Sequence, residues 1–245
     1  MGEQGLMSGG RASRVLPVLG CVLAVLALFG LARSLLAMTY LNLRFAEQVD
    51  PLSRAMSFYA FVDEGEMLSG ALVLVAIATA ALLTGIARSG VRLRARTAAL
   101  FAVWCLALAL CAIFPTDNSP RIETFAGLVH QIAGAALFAG LPLAGLCLAR
   151  DLAARPEWEV TARTTRGLAI GGVAVALAYP IARLPDLLPW WHFPAVLDLR
   201  PVSGLVQRVL FGMEVLLLVV LAVRLLRISL AHRGTMPRAE PVSTR

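Results

Sequence analysis

Lysine is absent from this chain, and charged residues of both signs are scarce. All 22 basic residues are arginine, and charged residues make up 15% of the 245 positions, against 59% apolar residues. Soluble globular domains contain about 25% charged and about 45–50% apolar residues. The composition therefore excludes a soluble domain and indicates a polytopic membrane protein. Its net charge of +7 comes from arginines at helix ends, so it is interpreted as a topology signal, and no nucleic acid partner is expected.

Paired cysteines and cofactor motifs are also missing. The four cysteines lie in apolar runs with no Cys-x-x-Cys spacing, so they are interpreted as small buried thiols rather than a disulfide framework. Only His130 falls inside a predicted span, whereas His192 and His232 are predicted on opposite sides of the membrane, which disfavours a metal or haem site. Nucleotide-binding glycine motifs, a Gly-x-Ser-x-Gly elbow and a His-Glu-x-x-His motif are absent. The sequence predicts no metal and no cofactor.

The chain has room for about six membrane-spanning helices of about 20 residues each, and six apolar runs are predicted to form them. Their predicted bounds are 15–32, 67–86, 97–114, 125–149, 167–180 and 204–226. The first run has no small-x-small cleavage site in a polar context and further spans follow, so we expect a retained helix rather than a signal peptide. The predicted fold is an all-α bundle of six transmembrane helices spanning 15–226, between a tail of residues 1–14 and a tail of residues 227–245.

The arginines divide unevenly between the two sides of this bundle. Both tails, the second and fourth loops, and the adjacent end of the sixth span, which carries Arg224, hold 15 of the 22 arginines. The positive-inside rule therefore predicts that both termini are cytoplasmic in a multi-pass protein of the cell membrane. Asp117, Glu66 and the tryptophan-containing loop 183–203 then lie on the outer side. Membrane lipids are the expected partners, while a protein partner or a homo-oligomer is left open.

A polar turn and a histidine lie between the third and fourth spans. Phe-Pro-Thr-Asp at 114–117 ends the third span, and His130 is placed on the order of 12 Å below the outer surface, at about 1.5 Å per helical residue. An ionisable group at that depth needs a partner or a wet cavity, so we predict a hydrogen bond from Asp117 to one ring nitrogen of His130. Gly127 and Gly134 share the helix face of His130, which indicates close packing. This pair is either an acid–base or headgroup site or a bond that fixes the hairpin.

The sixth span carries further candidate residues. Glu214 is predicted about 15 Å from its outer end, in the middle of the bilayer, and is expected to be neutral or paired. Gln207 lies on the same stripe at helical spacing, with Phe211 between the two. Glu66, Gln207, Arg208 and Glu214 are the candidate substrate-binding residues. Proton or ion coupling through Glu214 and a protonated carboxyl bonded to a neighbouring helix are the alternatives for that residue.

These motifs carry a family resemblance. The chain resembles a bacterial family of six-helix membrane proteins designated domain of unknown function 998. The likeness rests on Asp-Pro-Leu-Ser at 50–53, residues 66–70, Phe-Pro-Thr-Asp at 114–117, His-Gln-Ile-Ala-Gly at 130–134 and Gly-Leu-Val-Gln-Arg at 204–208. A fainter similarity is to the Frag1/DRAM-like membrane proteins, which include lipid-remodelling and lipid-sensing members. The resemblance implies a six-helix fold and a membrane location, and it favours lipid as the ligand.

Two classes of function follow from this reading. The first is a non-enzymatic membrane protein that binds a lipid or a partner at a polar site in the outer leaflet. The second is a membrane-embedded enzyme acting on lipid, with His130 as general base and Asp117 orienting it. Ser53 and Ser57 are the only serines in the first outer loop, and neither lies in a recognisable activation motif, so we favour the first class. A transporter ranks third, because the two halves show no paired broken helices.

Overall fold

The computed structural model describes residues 6–119, 121–183, 194 and 198–234. Within these residues the chain forms six long helices, all of them long and apolar enough to cross a membrane. They are α1 (Leu6–Arg44), α2 (Glu66–Arg88), α3 (Ala95–Ile113), α4 (Phe125–Leu152), α5 (Glu159–Ala182) and α6 (Ser203–Gly234). Short 3-10 helices cover Met56–Phe61, Pro156–Trp158 and Arg200–Val202. The predicted all-α architecture with six spans is confirmed.

The helices form a closed ring in chain order. Each helix packs on its neighbour in sequence, and α6 packs on both α5 and α1. Successive helices run in opposite directions, which gives the bundle two ends. One end holds Glu66, Asp117 and Ser203 and is called the Asp117 face. The other end holds Arg88 and Arg94 among many arginines and is called the arginine-rich face.

The first helix extends further than the sequence predicted. We expected it to end near residue 32, but α1 continues to Arg44. The reason is that Met38 and Leu41 continue the buried face of the helix and join an apolar cluster with Tyr59 at the Asp117 face. Arg33, which follows the predicted end of the first span, therefore lies inside α1 with an exposed side chain.

The fifth and sixth helices also extend beyond their predicted bounds. Helix α5 begins at Glu159 rather than near residue 167, and α6 runs to Gly234 rather than to 226. A helix can continue through charged residues beyond its apolar run, because oppositely charged side chains one turn apart attract each other on its surface. Arg163, for example, lies 3.7 Å from Glu159 one turn earlier. The tryptophan pair at 190–191, His192 and the tail after residue 234 fall outside the described residues.

The bundle is apolar both inside and outside, as lipid surroundings require. Trp104, Leu82 and Leu141 are among the side chains buried in its centre, whereas Phe29 and Ile77 are exposed on its outer surface. All four cysteines are free thiols, as predicted. The polar residues that remain are concentrated at the two ends of the ring, and Glu214 is an exception inside it.

The orientation of the bundle stays a prediction, and it has a direct test. A periplasm-active phosphatase fused after Asn118, at the Asp117 face, is expected to be active in a bacterial host. The same enzyme fused after Ala154, at the arginine-rich face, is expected to be inactive, because the arginines retain that end in the cytoplasm. Activity measured with the reverse pattern would place both tails outside.

Candidate functional site

Asp117 organises the turn between α3 and α4. Its carboxylate accepts hydrogen bonds from the Glu123 N–H at 2.8 Å, the Thr124 N–H at 3.3 Å and the Thr124 hydroxyl at 2.7 Å. These hydrogen bonds lower the pKa of Asp117 below its ordinary value, and the bond from the Glu123 N–H makes the largest contribution. Thr124 in turn is the N-cap of α4, where its Oγ1 accepts a bond of 2.9 Å from the Gly127 N–H. Asp117 thus stabilises the segment that leads into the first turn of α4.

His130 has a different partner from the one predicted. Its Nδ1 lies 2.8 Å from the carbonyl oxygen of Phe114. A carbonyl oxygen only accepts hydrogen bonds, so Nδ1 carries the proton and, in the neutral ring, Nε2 carries a lone pair. No described residue forms a hydrogen bond with Nε2. The structure therefore fixes the tautomer of His130 and leaves its second nitrogen without a hydrogen-bond partner in the described part of the chain.

The predicted hydrogen bond between Asp117 and His130 is wrong. Helix α3 ends at Ile113, so the carbonyl of Phe114 is outside the helical bonding pattern and is free to accept from His130. Asp117 lies beyond it in a non-helical segment, where its donors are the N–H groups of Glu123 and Thr124 and the Thr124 hydroxyl. Local backbone geometry, rather than side-chain charge, decides both sets of partners.

The surroundings of His130 are tight on one side and open on the other. An added Cβ at Gly127 would collide with the Asp117 carboxylate, which confirms the close packing predicted there. At Gly134, one turn beyond His130, an added Cβ would meet no atom within 4 Å. His130 itself is half-buried and lies about 8 Å along α4 from Phe125. The residues before Phe125 are not helical, so His130 lies less than two helical turns from the start of α4.

A second polar cluster joins α6 to the segment after α1. We call it the loop clamp, and it consists of Asn42, Tyr59, Gln207 and Arg208. The Arg208 guanidinium donates to Asn42 Oδ1 at 2.6 Å, to the Arg54 carbonyl at 2.8 Å, to the Gly204 carbonyl at 3.1 Å and to the Tyr59 hydroxyl at 3.0 Å. Gln207 Oε1 accepts a bond of 2.6 Å from the Met56 N–H. Both candidate residues therefore bind groups of the protein itself.

Ser53, which was considered as a possible nucleophile, instead stabilises a turn. Its hydroxyl donates to an oxygen of Asp50 at 2.5 Å, and the Leu52 N–H donates to the other oxygen at 3.0 Å. The bond from Ser53 is the largest of the causes that lower the pKa of Asp50. This is the arrangement of a capped turn, and among the described residues no histidine is hydrogen-bonded to this hydroxyl as a base.

The remaining candidates, Glu66 and Glu214, are not brought together. Glu66 is exposed at the first residue of α2, where a negative charge interacts favourably with the helix N-terminus. Glu214 is 3% exposed, and neither of its carboxyl oxygens has a hydrogen-bond partner among the described residues. Gln207 and Phe211 are buried on the same stripe of α6, as predicted. No hydrogen bond among the described residues joins these acids to the hairpin of Asp117.

Sequence reasoning missed three groups that shape the Asp117 face: Asn42, Tyr59 and the carbonyl of Phe114. Asn42 is a polar residue between leucines within an apolar helix, and that pattern is a usable signal. The Phe114 carbonyl leaves no trace in the residue type. Within the described ranges, no group of three or more His, Cys, Asp and Glu side chains is placed to hold a metal ion.

The fold and its polar ends define a multi-pass, all-helical membrane protein with hydrogen-bonded caps at the Asp117 face. The chain belongs to the family described as "Protein of unknown function (DUF998)", which it matches over residues 30–224. This confirms the resemblance found in the motifs. No curated protein and no solved structure gives a significant match. The fainter similarity to Frag1/DRAM-like proteins stays a prediction.

Proposed function

We propose that this chain is a non-enzymatic protein of the cell membrane that binds a lipid headgroup through Nε2 of His130, in the outer leaflet. The observation that supports this proposal is the hydrogen bond of 2.8 Å from Nδ1 to the Phe114 carbonyl. It orients the ring and leaves Nε2 with no hydrogen-bond partner among the described residues. Orientation of one imidazole nitrogen by a backbone carbonyl is a common device for leaving the other nitrogen ready to bind.

The tautomer determines which headgroups fit. In the neutral ring Nε2 is an acceptor, so the ligand must present an N–H or O–H donor. Phosphatidylethanolamine has an ammonium group with three N–H donors, whereas the quaternary ammonium of phosphatidylcholine has none. The two lipids carry the same net charge. The open space beside Gly134 provides room for the ligand next to the ring.

The alternative, a lipid-modifying enzyme, is less well supported. Its acid–base pair required Asp117 to orient His130, and Asp117 is occupied by Glu123 and Thr124. Its nucleophile was to come from the first outer loop, where the Ser53 hydroxyl is bonded to Asp50. Cys111 lies beside His130, but its buried thiol donates to the His130 backbone carbonyl at 3.9 Å, and no described serine or cysteine is hydrogen-bonded to the imidazole ring. This arrangement supports binding better than covalent catalysis.

Two substitutions at His130 separate binding from scaffolding. Asparagine places its amide nitrogen near the position of Nδ1, so His130→Asn retains the bond to Phe114 and removes Nε2. We expect this variant to unfold in detergent at nearly the wild-type temperature. Added phosphatidylethanolamine should raise the unfolding temperature of the wild type more than phosphatidylcholine does, and His130→Asn should abolish this difference.

The matched variant His130→Gln places an amide at the distance of Nε2 and loses the bond to Phe114. It should be less stable than His130→Asn while retaining part of the response to phosphatidylethanolamine. Equal responses of the wild type to the two lipids would contradict the proposal. So would an undiminished response in His130→Asn, which would assign the histidine a purely structural role.

A further inference from the structure

Three arginines line a pocket at the arginine-rich face, at the opposite end of the bundle from the hairpin of Asp117. The pocket has a volume of about 560 Å³ and lies where the loop between α2 and α3 meets the end of α4. It is lined by Arg92, Leu93, Arg94, Ala95, Asp151 and Arg155, with Ala154. Helices α2 and α4 end and α3 begins at this level, which is where lipid headgroups meet a membrane protein. We call it the Arg92 pocket.

The loop that forms the pocket is held in one shape. Asp151 has a side chain only 1% exposed, and it accepts hydrogen bonds from the Arg94 N–H at 3.0 Å and the Thr97 hydroxyl at 2.7 Å. Arg155 donates to the carbonyl of Gly90, whose φ of 90° suits glycine. Val91 is buried beneath the loop. A ligand entering this pocket therefore meets a wall that is already ordered.

The charge of the pocket is unbalanced. Asp151 is the only acid in its lining, and its carboxylate is occupied by the start of α3 and by Arg94, whose Nε lies 3.4 Å away. Arg155 is bonded to a carbonyl, which does not neutralise it. The exposed side chain of Arg92 makes no hydrogen bond or ion pair with any described residue. Two positive charges remain in excess, and one guanidinium has all of its donors available.

We infer that the Arg92 pocket binds a phosphate group, supplied by the headgroup of an anionic phospholipid. Guanidinium groups match phosphate oxygens in fork geometry and bind them with charge-assisted hydrogen bonds. Basic pockets at the ends of transmembrane helices are suited to anionic headgroups for this reason. Arg92 and Arg155 supply the donors from two sides, and Asp151 holds the loop so that both sides stay in place.

The test compares two arginines of the same segment. Arg92→Gln removes the unpaired guanidinium from the pocket, while Arg96→Gln makes the same change in charge at an exposed position outside the lining. Native mass spectrometry of the purified protein would measure binding of phosphatidylglycerol and phosphatidylcholine. We expect the wild type to prefer phosphatidylglycerol, and Arg92→Gln to weaken that binding roughly tenfold, as the loss of one charge-assisted contact does. Arg96→Gln should change it less than twofold.

A competition experiment identifies the source of the phosphate. Inorganic phosphate at millimolar concentration should displace little phosphatidylglycerol if the lipid is the occupant, because the lipid is also held through its chains. Displacement by inorganic phosphate that depends on Arg92 would identify a soluble phosphate as the ligand instead of the lipid. Equal losses in Arg92→Gln and Arg96→Gln, or no preference for phosphatidylglycerol over phosphatidylcholine, would overturn the inference, since either result means that the arginines act only as diffuse charge.

Discussion

Replacing Arg208 by alanine should lower the free energy of unfolding by about 3 kcal/mol, since a hydrogen bond to a charged group contributes about 1.5–3 kcal/mol and the hydrogen bonds of the guanidinium are all lost. The guanidinium donates to two backbone carbonyls and to the side chains of Asn42 and Tyr59. It thus holds α1, α6 and the segment between α1 and α2 together. The measurement is equilibrium unfolding in detergent micelles with increasing sodium dodecyl sulfate, followed by tryptophan fluorescence.

Two further variants define what Arg208 contributes. Arg208→Lys retains the charge but supplies donors from a single point, so it should recover no more than about half of the lost stability. Arg121→Ala removes an exposed arginine from the same face and should change stability by no more than about 0.5 kcal/mol. If Arg208→Ala and Arg121→Ala had equal effects, the loop clamp would not be a source of stability.

Gly204→Ala should be comparably severe, with a loss of about 3 kcal/mol at the upper end of the range for overpacked sites. A Cβ at Gly204 would collide with the carbonyl of Arg54 and lie 2.9 Å from the carbonyl of Leu52. These are backbone atoms and cannot move aside by changing a rotamer. The loop would have to withdraw from α6, which would break the bond of 2.9 Å from the Leu205 N–H to Leu52 and the bond of 3.1 Å from Ser203 to Ser53.

The same helix offers the control for this prediction. An added Cβ at Gly212 would meet no atom within 4 Å. Gly212→Ala should therefore leave stability unchanged or raise it by up to about 1 kcal/mol, because alanine favours the helix over glycine. The comparison uses the same unfolding assay in detergent. Similar losses at both positions would mean that helix α6 tolerates no side chain at either glycine and that the contact with the loop is not the cause.

Both predictions concern residues whose role the sequence did not reveal. Gln207 is a ligand-binding candidate in the sequence because it shares a helical stripe with Glu214, and Arg208 is the next residue in the Gly-Leu-Val-Gln-Arg motif at 204–208. The structure gives them partners 150 residues away in the chain, on a segment that the sequence showed only as the longest loop. Long-range pairing of this kind leaves no local pattern, since each partner is a common residue type or a backbone carbonyl.

The six spans, by contrast, were determined by the sequence. Each must carry a run of apolar residues, because an unpaired polar backbone or charged side chain in lipid is too costly. That requirement acts residue by residue and is visible without knowledge of neighbours. It also explains why the predicted ends of the helices were less accurate than their number. Helices α1, α5 and α6 extend beyond their predicted apolar runs. The added segments contain Met38, Glu159 and Ile228, whose tertiary and side-chain contacts a hydropathy pattern does not reveal.

The hairpin between α3 and α4 separates what the sequence could predict from what only the tertiary structure determines. The sequence alone determined that an aspartate follows one span and a histidine enters the next, and it placed both at the same end of the bundle. Only the tertiary structure decided their partners. The choice depended on the point at which α3 stopped, because that released the carbonyl of Phe114 to His130 and left Asp117 beside the N–H groups of Glu123 and Thr124. Hydrogen bonds depend on positions to within a few tenths of an ångström, and such positions are set by packing rather than by residue type.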